Sequence, residues 1–248
     1  MRAVPSIRFA AALLTGLVMG GSALAADFSQ QADWAESLIK NVAAANNTYG
    51  GSSTIVTWAG VNGATIYQNQ STCAPFVTNV VKTANNLSNT DYKARTGSTS
   101  PSSAQYYDLI VGQTGFTRIA KAADIRRGDI VALKYLPCAD NASTGHTMMA
   151  MGAPVLRAAT KPFIAGTVQY EVKIADSTSS PHTATDSAGI TYTDLRNSST
   201  NSGAGIGTLR LYADETTGVI AGYSWTVGSG SVYYDANSCR LIAAGRMQ

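Results

Sequence analysis

One stretch of the chain keeps helical spacing over several turns and frames the rest. Phe76, Val77, Val80, Val81, Ala84 and Leu87 recur at intervals that put them on one buried helix face. Pro75 suits the first turn, where N–H groups have no intrahelical partner, and Ser71 or Thr72 is placed to cap it. Trp34, Leu38 and Val42 share a face nearer the N-terminus, with Glu36 and Lys40 four residues apart. Ser102-x-x-Gln105 resembles a capping box opening a short helix through Tyr106, Leu109 and Ile110 to Gly112. The other apolar runs are short. Ile130–Tyr135, Gly145–Met151 and Val168–Asp176 read as strands, followed by Thr208–Tyr212, Gly218–Val227, Ser231–Tyr234 and Leu241–Ala244. Helices and short strands together predict an α+β fold.

With 45% hydrophobic and 13% charged residues among 248, the chain has the material for a sizeable core and is neither a disordered tail nor a coiled coil. The net charge of +3 comes without a basic stripe, which excludes the usual nucleic-acid binder. Two histidines and three widely spaced cysteines exclude most zinc-site spacings, and neither metal nor cofactor is expected.

The N-terminus reads as a signal peptide over residues 1–25. Arg2 and Arg8 supply the positive region, Phe9–Met19 the apolar run, and Ala23-Leu24-Ala25 the small-residue cleavage pattern. The run is shorter than the ~20 residues of a membrane span. Residues 26–248 are therefore expected to be secreted or periplasmic, without a membrane span, and to act as a monomer. In an oxidising compartment three cysteines leave one over. Cys138 and Cys239 lie in loop-like settings and are the expected disulfide pair, which leaves Cys73 free.

Cys73 opens the strongest helix. There the helix dipole favours a thiolate, and backbone N–H groups at the same end can receive a developing oxyanion. His146 begins a predicted strand. In the next one Tyr170, Val172, Ile174 and Asp176 share a face, and Asp176 is expected to end it. If these strands are neighbours, the Asp176 carboxylate takes one ring N–H of His146 and leaves the other nitrogen to Cys73. His182 lies six residues on and competes for the third position. Tyr106 and Tyr107, and also Tyr223, Trp225 and Tyr233, are expected to serve packing rather than binding.

Four pieces in this order carry a resemblance: Thr72-Cys73-Ala74-Pro75-Phe76-Val77, Gly128-Asp129-Ile130-Val131, Gly145-His146, and a polar residue on the following strand. The order is similar to that of papain-like cysteine peptidases of the NlpC type and of the related CHAP amidases. It covers roughly Ser71 to Ser177. Thr72 stands where the family has an acidic residue and Pro75 where it has glycine, and Ser88–Ala123 is an insertion relative to a minimal domain. The resemblance implies a nucleophile-bearing helix on a small antiparallel sheet and a hydrolase acting on amide bonds of cell-wall (peptidoglycan-like) peptides. Cys73, His146 and Asp176 would be its catalytic residues. The same residues would also serve an acyltransferase or esterase, and a non-catalytic exported protein could keep the fold with Cys73 merely packed.

Overall fold

The computed structural model describes residues 30–139 and 141–248. The signal-peptide segment expected over residues 1–25 lies outside the described residues. The helices are α1 (Gln30–Asn41), α2 (Cys73–Ala84), α3 (Asn89–Thr96) and α4 (Ser103–Val111). Before α2 come three short strands, β1 (Asn47–Tyr49), β2 (Ile55–Thr57) and β3 (Gln68–Ser71). After α4 come β4 (Phe116–Ile119), β5 (Ile130–Tyr135), β6 (Gly145–Ala150), β7 (Val155–Arg157) and β8 (Thr167–Thr178). The chain continues through β9 (Ala184–Thr185), β10 (Thr191–Tyr192), β11 (Gly203–Asp214), β12 (Ile220–Ser224), β13 (Tyr233–Asp235) and β14 (Arg240–Met247). The fold is α+β. Among the described residues no helix is long and apolar enough to cross a membrane.

The main sheet runs β13-β12-β11-β8-β6-β5-β14-β4, with β7 added alongside β8, and neighbours are antiparallel. The sheet curls on itself. The guanidinium of Arg240 on β14 lies 4.4 Å from the ring of Tyr234 on β13, although these strands stand far apart in the strand order. The curl gives the sheet two buried faces. On the outer face Ile130, Ala132, Met149 and Ala175 pack against Leu38, Phe76, Val77, Val80 and Tyr106 of the helices. On the inner face Val131, Leu133, Met148, Ile174, Leu209, Leu211 and Ile242 pack against one another. Strands buried on both sides lose alternation and read as continuous apolar runs, as Ile130–Leu133 of β5 and Met148–Ala150 of β6 do.

The expected periodic helices are present. Glu36 and Lys40 pair at 2.6 Å, and the Ser102–Gln105 capping box is formed in both directions. Three local expectations change. Thr72 occupies the cap position of α2, but its side chain makes no cap bond, and the Ser71 hydroxyl donates instead to Asn69 Oδ1 at 2.6 Å. β8 does not end at Asp176; pairing with Gly203, Ala204 and Gly205 of β11 carries it on to Thr178. β11 itself is 12 residues long, because it pairs with β8 along its whole length.

Candidate active site

β6 and β8 share only two register pairs, Met149 with Ala175 and Ala150 with Ile174. Beyond them toward the start of β6, side chains bridge the strands: His146 Nε2–H donates to Asp176 Oδ2 at 2.7 Å. The N-terminal end of α2 meets the sheet here. A buried polar network ties it down, in which Asn69 Nδ2 donates to Asn47 Oδ1 and to Ser177 Oγ (3.0 and 3.3 Å). Ser177 Oγ donates to Ser71 O at 2.8 Å, and Asn47 Nδ2 to Ala204 O at 2.8 Å. These bonds fasten β3, and therefore the helix that follows it, to β8 and β11.

Cys73 is the free cysteine and is 7% exposed. Cys138 and Cys239 form a disulfide with a Cα separation of 5.4 Å, as their loop settings predict. The Cys73 thiol lies against His146, Ser103 and the backbone N–H of Thr147. Thr147 Oγ1 donates to Ser103 Oγ at 2.9 Å, which leaves the Ser103 proton for the Cys73 sulfur 3.4 Å away. Burial works against the thiolate. The charge and hydrogen bond of His146, helped by Ser103 and Thr147, outweigh it and bring the thiol down to about 7. Burial likewise disfavours the imidazolium of His146, yet the facing thiolate and the Asp176 carboxylate raise it to about 10. Between these values the pair is a thiolate–imidazolium ion pair. Since Nε2 is committed to Asp176, Nδ1 is the nitrogen left for the thiol.

Asp176 is fully buried, which alone would raise its carboxyl. Its neighbours His182 and His146 hold it well below the usual carboxylate range instead. His182 Nε2 lies 3.1 Å from the same Oδ2, and its Nδ1 lies 2.7 Å from Trp225 O. Arg196 Nη2 donates to Asp176 Oδ1 at 2.9 Å and to Asp194 Oδ2 at 3.0 Å. Asp194 Oδ2 also accepts the backbone N–H of His182 at 2.8 Å. The two candidates for the third position are thus not alternatives in space: Asp176 touches His146, and His182 stands behind Asp176. Trp225 stacks on His182 (4.2 Å) and meets His146 edge-on (4.8 Å), so it packs on the histidines rather than across a strand pair.

Gly145, the residue before His146, is required by the backbone. Its φ is +144°, and a Cβ there would come within 1.9 Å of the Leu133 carbonyl oxygen. Gly207 has a similar use beneath His182, whose Cβ would lie 2.5 Å from a side chain added at that position.

Sequence reasoning missed Ser103, Thr147, Arg196 and Asn69. Ser103 sits in the stretch read as an insertion, one residue inside a capping box, where a serine is unremarkable. Tyr106 is packing, as expected; it is fully buried and shares a hydrogen bond with Thr78 at 2.8 Å.

Comparison with known proteins adds little chemistry. A protein of Acanthamoeba polyphaga mimivirus described as uncharacterized is 29% identical over 224 residues, covering 86% of this chain and 94% of its own length. No family model and no solved structure matches.

Proposed function

We propose that this chain is an exported cysteine hydrolase of papain-like type, akin to the NlpC and CHAP enzymes, that cleaves amide bonds in cell-wall peptides. The observation that carries the reading is the continuous line Cys73–His146–Asp176 at the N-terminal end of α2. The Cys73 thiolate attacks the amide carbonyl, and the oxyanion that forms turns toward the backbone N–H groups at the start of α2. The His146 imidazolium gives its proton to the leaving nitrogen as the C–N bond breaks, leaving a thioester on Cys73. Neutral His146 then takes a proton from water, the hydroxide displaces the thiolate, and the acid departs. Asp176 keeps the ring oriented throughout. The substrate class rests on the resemblance of the motifs; the disulfide fits an oxidising compartment.

The burial of Cys73 favours a second reading, a non-catalytic protein in which the thiol is simply packed. One experiment separates them. Purified cell-wall fragments incubated with the protein should yield new amine and carboxyl ends by mass spectrometry, and Cys73→Ala should yield none. If the parent cleaves no amide or ester and Cys73 resists iodoacetamide, the packed-thiol reading stands.

A further inference from the structure

The inner face of the curled sheet continues past the candidate site into an aromatic mouth with a cation at its far side. His146 pairs with Leu133, and Leu133 with Ile242, so the three share a face. One two-residue step further along that face, Tyr135 on β5 pairs with Arg240 on β14. Two strand spacings across and one such step along put Arg240 about 12 Å from His146, measured between Cα atoms. The other side of the mouth is aromatic. Trp225 touches His146 (4.8 Å) just past the end of β12, Tyr223 lies two residues before it within that strand, and Tyr223 packs on Tyr234 at 5.3 Å. The Arg240 guanidinium lies between the rings of Tyr135 and Tyr234, at 4.7 and 4.4 Å. It is half-buried, and among the described residues it has no carboxylate partner. The Tyr135 hydroxyl is close enough to feel both Arg240 and Cys73. Ring faces hold a guanidinium in place while leaving its N–H edge free to donate in bidentate fashion. The adjoining Cys138–Cys239 disulfide joins the turn after β5 to the residue just before β14, next to Arg240.

We propose that Arg240 is a specificity determinant that binds a carboxylate of the substrate two or three residues from the bond Cys73 attacks. An extended peptide advances about 3.4 Å per residue, so two or three residues cover about 7–10 Å and the Arg240 side chain reaches across the rest of the Cα separation. The proposal rests on the cysteine-hydrolase reading and adds to it the anionic character of the substrate.

The probes are bromoacetyl-glycyl-glycine as the free acid and the same compound as its carboxamide, with iodoacetamide as the neutral reference. In the full chain the acid should alkylate Cys73 faster than the carboxamide by about fivefold at low salt, the scale of one partly exposed ion pair. The preference should shrink as ionic strength rises. Arg240→Gln should bring the ratio to about one while leaving the iodoacetamide rate unchanged, and Arg240→Lys should keep part of the preference. Equal rates for acid and carboxamide in a parent that reacts normally with iodoacetamide would overturn the subsite alone. So would an acid preference that survives Arg240→Gln. A parent inert to iodoacetamide would overturn the hydrolase reading and the subsite with it.

Discussion

At the scale of single residues, Cys73 and His146 define each other's charge. The thiol sits at about 7 because the imidazolium offsets the cost of burial, and the imidazolium persists to about 10 because the thiolate and Asp176 face it. Alkylation of Cys73 by iodoacetamide should therefore rise with pH through a midpoint near 7, read by mass spectrometry of the labelled peptide. Turnover should follow a bell, lost below about 7 as the thiolate protonates and lost above about 10 as the imidazolium gives up its proton. His146→Ala removes the charge but leaves the burial, so its alkylation midpoint should move above the free-thiol value of ~8.5. A midpoint unchanged by His146→Ala would mean that the ion pair does not exist.

The same scale ranks the residues behind His146. Asp176→Asn keeps the shape but loses the carboxylate that holds the ring, and should lower kcat by about 10²–10⁴-fold with the fold retained. His182→Ala should cost less, because His182 touches Asp176 and neither Cys73 nor His146. If His182→Ala proved the more damaging of the two, Asp176 would not be the group that orients His146. The pair Arg196–Asp194 explains how Asp176 stays ionised without water: the guanidinium satisfies Oδ1 while the two histidines share Oδ2.

Among the elements, α2 was readable because its apolar face repeats at helical spacing, and β5 and β6 because both of their faces are apolar. Cys73, His146 and Asp176 stood out for local reasons, a helix start, a Gly-His strand opening and a polar residue closing an alternating run. The strands that place α2 were not readable. β3 turns Asn69 and Ser71 inward, so its buried face is polar and its sequence carries no hydrophobic alternation. Arg196 and Ser103 reach the site through contacts 20 and 30 residues away along the chain, which no local pattern encodes. The length of β11 likewise comes from its partner β8. These elements carry a prediction of their own. Asn69→Ala strips the central member of the network joining β3 to β8, leaving Asn47 and Ser177 short of partners, and should cost about 1–3 kcal/mol of stability in denaturant unfolding. The alkylation midpoint of Cys73 should rise with it, since the α2 end loses its register against His146. An unshifted midpoint would mean that β3 stabilises the fold without placing Cys73.

For the molecule as a whole, one curled sheet serves two cores and leaves its mouth beside the candidate site. Helices cover the outer face, and the inner face closes on itself through the contact of β14 with β13. The Cys138–Cys239 disulfide spans 101 residues of sequence at the rim of that mouth, and these residues include β6, β8 and β11. Cross-linking a loop of that length restricts the unfolded chain by up to about 5 kcal/mol. Replacing both cysteines by serine should therefore lower the stability of the whole molecule by an amount approaching that figure, measured as a reduced midpoint in urea with a steeper slope, because the uncrosslinked chain unfolds to a more exposed state. Cys73 belongs to the other core, against α1 and the outer face, and its contacts with His146, Ser103 and Thr147 do not involve the bridge. Below the unfolding transition the double variant should therefore keep the parent's iodoacetamide rate and midpoint near 7. If the disulfide instead held the sheet in its curl, Trp225 would move away from His146 and the midpoint would shift even in the folded protein. The two measurements together decide whether the bridge acts on the unfolded chain or on the geometry around His146.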